Sequence, residues 1–590
     1  MQLFHPWTRR AILVAVLLTV VCLSAMTQAQ NAPGPQLLSD PFLQLPNTNS
    51  VRVVWFTEFA GSTHNVAYGP KLEQTAKATT RQLSRSREDQ NSKVGEQNQS
   101  DQVYSQPVER PVWRHEAEVT GLNSGVRLPY RVTSVREDGQ AVSSEVFSLS
   151  AQPKPSTPLK ILLTSDHQLM PLVPANLQKV VETVGQVDAV FLAGDLVNVP
   201  DRASEWFDDN RGNAFFANLQ GRAQYELTRD GVKTLYRGGA LIQHAPLFTA
   251  IGNHEVMGRF STEKSLNLQF YDAFPRQIAA KIYPAAPQEP QAYQRWLKDH
   301  SFNTDSYEEL FSLPQSETGN QRYYAVSFGD VRLVVLYATT IWRTPDLHAN
   351  YAGRYQERPQ DVQQPQRWGY GHLIFEPIAK GSTQYNWLAQ ELNSPEFQQA
   401  KYRLVMFHHP PHSLGDNVVP PYTDPVQQIE REANGSIKAI RYEYPRQADY
   451  LIRDVVPLLE SAGAQLVLYG HTHIWNRFVS PAGLNFLESS NVGNSYGAYV
   501  GARKRPVPPG DSPNYVATGD PNGLEPVVPT LAPLLDDEGQ PLPYLSSNDI
   551  TAFSILDTST GTVSSYRFDT RKPDSEVVKF DEFKLSSSAQ

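Results

Sequence analysis

At 590 residues, with 40% hydrophobic side chains and a formal net charge of −9, the chain is long enough to bury more than one core. Its acidity argues against non-specific nucleic-acid binding. A single cysteine, Cys22, excludes a disulfide framework and leaves any metal to His, Asp, Glu or Asn ligands.

Residues 1–29 read as an export signal. A basic start ending in Arg9-Arg10 leads into an apolar run of 16 residues, Ala11 to Met26, and small residues up to Ala29. That run falls short of the roughly 20 residues a membrane span needs. An uncleaved anchor is the alternative, and the paired arginines also fit a twin-arginine signal. The expected location is periplasmic or extracellular, with no stable membrane span after processing. Without this segment the chain keeps 50 basic and 61 acidic side chains, a net −11.

Residues 38–150 alternate apolar and polar side chains in short stretches such as SVRVVWFTE, THNVAYGP, VWRHEAEVTGL and LPYRVTSV. With turn residues at the joins, this predicts a small β-sandwich of the immunoglobulin or fibronectin kind. Trp55 and Tyr130 are expected in its core, and the polar stretch 79–102 is expected to be a mobile loop. After the linker AQPKPSTP the pattern becomes β-α-β: LKILLTSD and VDAVFLAGD as buried strands, VPANLQKVVETVG as a helix. Further strands are expected at APLFTAIGNHE, VRLVVLYATT, YRLVMFHHP, AQLVLYGHTH and LNFLESSN, with helices at TQYNWLAQELN and ADYLIRDVVPLLESAG. The α/β domain thus spans 158–500, with excursions over one face at 258–320 and 343–382. A Pro-rich loop follows at 502–547, and strands in 548–590 complete the domain.

Five of these apolar strands stop on a carboxylate, amide or imidazole: Asp166; Asp195; Asn253 with His254; His408; and His471 with His473. In layered α/β domains the carboxyl ends of strands line the functional crevice. Taken singly, each residue could be a cap, a turn residue or a hydrogen-bonded core histidine. Five together, with no thiol among them, point to a cation that offsets their mutual repulsion.

Asp166, Gly194-Asp195, Gly252-Asn253-His254-Glu255, Val405 to His408 and Gly470-His471-Thr472-His473 occur in the order found in calcineurin-like metallophosphoesterases, which the chain resembles over roughly residues 160–500. The segment in front resembles the N-terminal domain of purple acid phosphatases. The resemblance implies two central sheets flanked by helices and a two-metal site of Fe, Mn or Zn. Asp195 would bridge the ions, Asp166 and His473 would hold the first, and Asn253, His408 and His471 the second. Such ions sit about 3.5–4 Å apart and bring the pKa of bound water to about 7. His254 resembles the histidine that steadies the transition state or protonates the leaving alkoxide.

Two positions depart from the pattern. Gln168 stands where the common Asp-x-His motif has histidine, which leaves its carbonyl oxygen as a weak fourth ligand of the first ion. Asn198 stands where purple acid phosphatases carry an iron-binding tyrosine, so no purple chromophore is expected. His167 is expected to point away from the site, His409 to lie at a turn or surface, and His244 to be packed. His412 and Arg202 are candidates for contact with an anionic substrate. The function implied is an exported dinuclear phosphomonoesterase acting on small phosphate esters through a metal-activated hydroxide. The alternatives are a phosphodiesterase or nucleotidase of the same fold, or a non-catalytic binding protein derived from it.

Overall fold

The computed structural model describes residues 34–94, 104–283, 286–343, 353–418, 420–505 and 514–585, so the expected signal segment lies outside the described residues. Strand Ser50–Thr57 shows how the N-terminal region is built. Val51, Val53 and Trp55 face Val66, Tyr130 and Val132 of a second sheet. The Trp55 indole donates to Ser134 Oγ at 2.8 Å. One sheet has the order Phe42–Gln44, Ser50–Thr57, Trp113–Thr120, Thr79–Gln82. The other has the order Ala141–Ser143, Leu128–Val135, Thr63–Tyr68, Gln74–Lys77, with Phe147–Leu149 also paired to Leu128–Val135.

The alternate residues of that strand, Val54 and Phe56, belong to a different core, packed with Phe207, Phe216 and Phe311 of the following domain. Being covered on both faces explains why SVRVVWFT is nearly continuously apolar. The sandwich is therefore fused by a face to its neighbour.

Two large sheets form the second domain, beside two-stranded hairpins. The first runs Leu247–Thr249, Ala189–Leu192, Lys160–Thr164, Ile550–Asp557, Thr562–Asp569, Val578–Lys584. Its first three strands are parallel and the C-terminal three antiparallel. The second runs Tyr324–Phe328, Val331–Val335, Tyr402–Met406, Leu466–Tyr469, Asn485–Ser489, Trp475–Val479, Tyr544–Leu545. A period of two divides its strands between two cores. Leu333, Val335, Leu404, Met406 and Leu468 join the core shared with the first sheet. Val334, Val405 and Val467 face Leu388, Leu392, Leu451 and Leu459 of the helical segments Thr383–Leu392 and Leu451–Ser461. Helix Val173–Val184 covers the first sheet with Val173, Leu177 and Val180. Trp475 Nε1 to Ser565 Oγ, at 3.0 Å, links the two sheets directly. Among the described residues no helix is long and apolar enough to cross a membrane.

Among its described residues the excursion at 258–320 contains four short helices, Leu266–Phe270, Arg276–Ile282, Pro290–Asp299 and Asp305–Leu310. A hairpin, Val426–Arg431 with Ile437–Glu443, was not legible from periodicity. The larger correction concerns 79–102. Thr79–Gln82 is a strand, and Arg85, Arg87, Glu88 and Asp89 are buried; residues 95–103 lie outside the described residues. Their charges find partners across the domain boundary. Arg87 pairs with Asp201 at 2.6 Å, and Arg85 with Asp299 at 2.7 Å and Asp305 at 3.0 Å. Arg202 bridges Asp89 at 3.0 Å and Glu205 at 2.6 Å. Polarity here marks a buried ion network, which composition cannot distinguish from a solvated loop. Removing Arg202 takes away the counter-charge that buried Asp89 and Glu205 share, so Arg202→Ala should lower stability by about 3–5 kcal/mol. Urea unfolding would register this, with Arg202→Lys intermediate because it keeps charge but not the planar fork.

Candidate metal centre

The strands that end on polar residues end together. Asp166 follows Lys160–Thr164, Asp195 follows Ala189–Leu192, and Asn253 follows Leu247–Thr249, all in the first sheet. His408 follows Tyr402–Met406, and His471 and His473 follow Leu466–Tyr469, in the second. Ligand atoms of Asp166, Asp195 and His408 lie within 4.8 Å of one another. His408 Nε2 is 3.1 Å from Asp195 Oδ2, and His473 Nε2 is 3.3 Å from Asp166 Oδ1. All of these side chains are buried.

The backbone is bent to achieve this. Asp166 (φ 58°), Asp195 (φ 56°), His471 (φ 81°) and His473 (φ 57°) adopt left-handed conformations that cost a non-glycine residue of order 1–3 kcal/mol each. Neighbouring glycines make the room. A Cβ on Gly252 would overlap Asp195 Oδ1, and one on Gly470 would overlap Asp166 Oδ2.

The histidines are oriented from behind. His408 Nδ1 donates to the Ala193 carbonyl at 2.9 Å, and His473 Nδ1 to the Asn494 carbonyl at 2.8 Å. Each commits one nitrogen and turns the Nε2 lone pair inward, the usual arrangement for a metal-binding imidazole. The backbone N–H of His471 donates to Asp166 at 2.9 Å, and that of His254 to Asp195 Oδ1 at 2.9 Å. Asn253 Oδ1, Gln168 Oε1, His408 Nε2 and His471 Nδ1 are buried and have no hydrogen-bond partner among the described residues. A buried pocket that orphans two amide oxygens and two imidazole nitrogens beside two carboxylates fits a cation. Gln168 is held there through Nε2, which donates to Asp195 Oδ2 at 3.3 Å. Asn198 sits behind, its side-chain amide donating to the backbone carbonyl of Gln168 at 2.7 Å and its own backbone carbonyl accepting from His254 Nδ1 at 2.7 Å.

Several peripheral expectations change. His409 is buried; its nitrogens meet the hydroxyls of Thr339 and Thr340 at 2.9 and 3.0 Å. Although close to His408 and His471, it has both nitrogens engaged and stacks on His471 at 3.9 Å. His412 is tied to Asp520 at 2.8 Å and buried, and Arg202 is engaged by Asp89 and Glu205 in its ion network. His167 points away, toward Thr164 Oγ1 at 3.1 Å, and His244 packs against Ser148.

Two supporting residues lacked a sequence signal of their own role. The Glu255 carboxylate accepts from the backbone N–H groups of Asp195, Leu196 and Gly252 at 2.7–2.8 Å, fixing two strand ends together. Glu488 accepts from Thr472 N–H at 2.9 Å and Thr472 Oγ1 at 2.6 Å, which sends the histidines on either side into the site. Glu255 stands in the same short motif as Asn253, whereas Glu488 is an ordinary strand residue in the sequence.

The sequence model of the family described as calcineurin-like phosphoesterase matches residues 159–475. No curated protein sequence matches the chain. A purple acid phosphatase, PPD1, from yellow lupin (Lupinus luteus) seeds is structurally similar at 15% identity, covering 92% of this chain and 74% of its own, with a TM-score of 0.50. GAP50, the anchor in the inner membrane complex of Plasmodium, aligns at 12% identity over 73% of this chain and 90% of its own, with a TM-score of 0.30. The first likeness is one of fold; the second carries no argument.

Burial works to strip the His408 proton, but Asp195 and Asp166 outweigh it and hold the imidazolium up to about 10. Burial raises Asp195, and the His408 and His254 charges more than offset that, taking it to about 2. A cation entering here displaces protons, so binding should tighten as pH rises and weaken as protons compete at low pH. Calorimetric titration with Mn²⁺ or Zn²⁺ in buffers of different ionisation enthalpy measures the release; affinity independent of pH would contradict it. Gly252→Ala, which crowds Asp195, should abolish metal binding while the circular dichroism spectrum persists.

Proposed function

The chain belongs to the calcineurin-like phosphoesterase family, and on that premise we propose that this phosphoester hydrolase is an exported phosphomonoesterase with a dinuclear metal centre. The observation that carries this reading is the set of orphaned buried atoms converging with Asp166 and Asp195 from two sheets. Asp166, Asp195 and His473 would hold one ion, with Gln168 Oε1 as a weak fourth donor; Asn253, His408 and His471, with Asp195 shared, would hold the other. Oxygen-rich donors at the first position favour Mn or Fe over tightly held Zn. Bound ions would acidify water to about neutral pKa and take up charge on the phosphate oxygens.

The chain's own groups do the rest. Because His254 Nδ1 donates to Asn198, Nε2 is the atom that exchanges a proton with the leaving alkoxide. Phe270, stacked at 4.8 Å on the His254 ring, holds it in that plane. Burial of the carboxylates keeps bulk water from screening the reacting charges. Acid-phosphatase-like specificity for monoesters is the preferred reading, supported by the fold shared with a purple acid phosphatase.

Asp195→Asn should release metal and abolish turnover of 4-nitrophenyl phosphate. His254→Ala should retain metal, measured by elemental analysis, and lose 10²- to 10⁴-fold in kcat, roughly the range for general acid catalysis. Normal hydrolysis by His254→Ala would remove its role. Faster cleavage of the corresponding diaryl diester than of the monoester would favour a phosphodiesterase.

A further inference from the structure

His473 is the one imidazole assigned to the first ion, beside Asp166, the shared Asp195 and the weak donor Gln168. Its hydrogen bond to the Asn494 carbonyl fixes Nδ1 but leaves the ring free to turn about that line. A second residue removes the freedom. The Tyr496 ring lies on the His473 ring, with centroids 5.3 Å apart and planes 25° from parallel. Offset-stacked aromatic pairs adopt this spacing.

Tyr496 is 44% exposed, so burial does not explain why it lies there. Holding an exposed side chain in one rotamer costs entropy, and the loop that carries it is fastened accordingly. Asn494 Nδ2 donates to the Tyr496 hydroxyl at 3.1 Å, and Arg503 donates to the Tyr496 carbonyl at 2.7 Å. Between them the Ser495 N–H donates to Asn548 Oδ1 at 2.8 Å. Gly497 (φ 109°) turns the chain beneath Arg503, where a Cβ would overlap the guanidinium. Asn494 therefore holds both rings, His473 through its backbone carbonyl and Tyr496 through its side-chain amide.

We propose that Tyr496 is a positioning residue of the metal centre. Its ring keeps the His473 plane turned so that Nε2 meets the first ion, and occupancy of that position depends on it. A cation on Nε2 draws electron density from the imidazole, which strengthens its stacking on the electron-rich phenol. The dependence is confined to the first ion. The imidazoles of the second, His408 and His471, are braced against each other and against His409 instead. The inference deepens the dinuclear reading and rests on it for there being a first ion to hold.

The test titrates the metal-stripped full chain with Mn²⁺, followed by calorimetry and electron paramagnetic resonance, for the native protein, Tyr496→Ala and Tyr496→Phe. The native chain should take up two ions and show the spectrum of an exchange-coupled pair. Tyr496→Ala should weaken one ion about 10–100-fold, the scale for losing a partner behind a metal ligand, and show a lone-ion spectrum where the native chain is filled. Tyr496→Phe, which keeps the ring, should restore the coupled spectrum. A merely structural role would instead weaken both ions equally and lower the melting temperature of the metal-free chain, and that result overturns the proposal. Native affinity and a coupled spectrum in Tyr496→Ala, or Tyr496→Phe behaving like Tyr496→Ala, would sink this inference alone. A native chain that holds a single ion would sink the dinuclear reading, and this inference with it.

Discussion

Two carboxylates, Asp166 and Asp195, are held side by side away from water, and the rest of the structure depends on offsetting that repulsion. Like charges at such separation in a low-dielectric pocket disfavour folding unless something positive sits between them. Protonated His408 and His473 supply that in one form and a cation in the other. The same competition between proton and metal makes the site responsive to its environment. Everything local serves to maintain it: left-handed turns at four ligands, glycines that admit the carboxylates, and carbonyls of Ala193 and Asn494 that aim the imidazoles.

The strand-end residues were legible because each follows a short apolar run, and strand polarity alone brings the carboxyl ends of parallel neighbours to one edge. The parallel arrangement of Lys160–Thr164, Ala189–Leu192 and Leu247–Thr249 does this for Asp166, Asp195 and Asn253. What periodicity could not supply was the environment of residues whose partners lie far away in sequence. His412 looked free until Asp520 appeared beside it, and His409 looked superficial although two threonine hydroxyls enclose it. Glu488 gave no hint because its importance lies in bonding Thr472, the residue between two histidines. The polar stretch 79–102 misled for the same reason. Charge content reports solvation only when the charges lack partners, and Arg85, Arg87 and Asp89 have them in the next domain.

That stretch also changes how the N-terminal sandwich is understood. Its first sheet gives one face to its own core and the other, through Val54 and Phe56, to aromatic residues of the layered domain. Apolar contact supplies adhesion without direction, while arginine forks with several carboxylates supply register. The two kinds of contact together fix an orientation that neither would specify alone. The excursion helices take part as well: Asp299 and Asp305 meet Arg85, and Phe270 of the same excursion braces His254.

The ligand set is drawn from both sheets, three residues from each. An ion seated among them would be a rivet through the seam where the layers meet. Chelation would then loosen the architecture as well as silence the chemistry, and the holo protein would outlast the stripped one against heat. A site placed at such a joint makes cargo loading and mechanical integrity a single event.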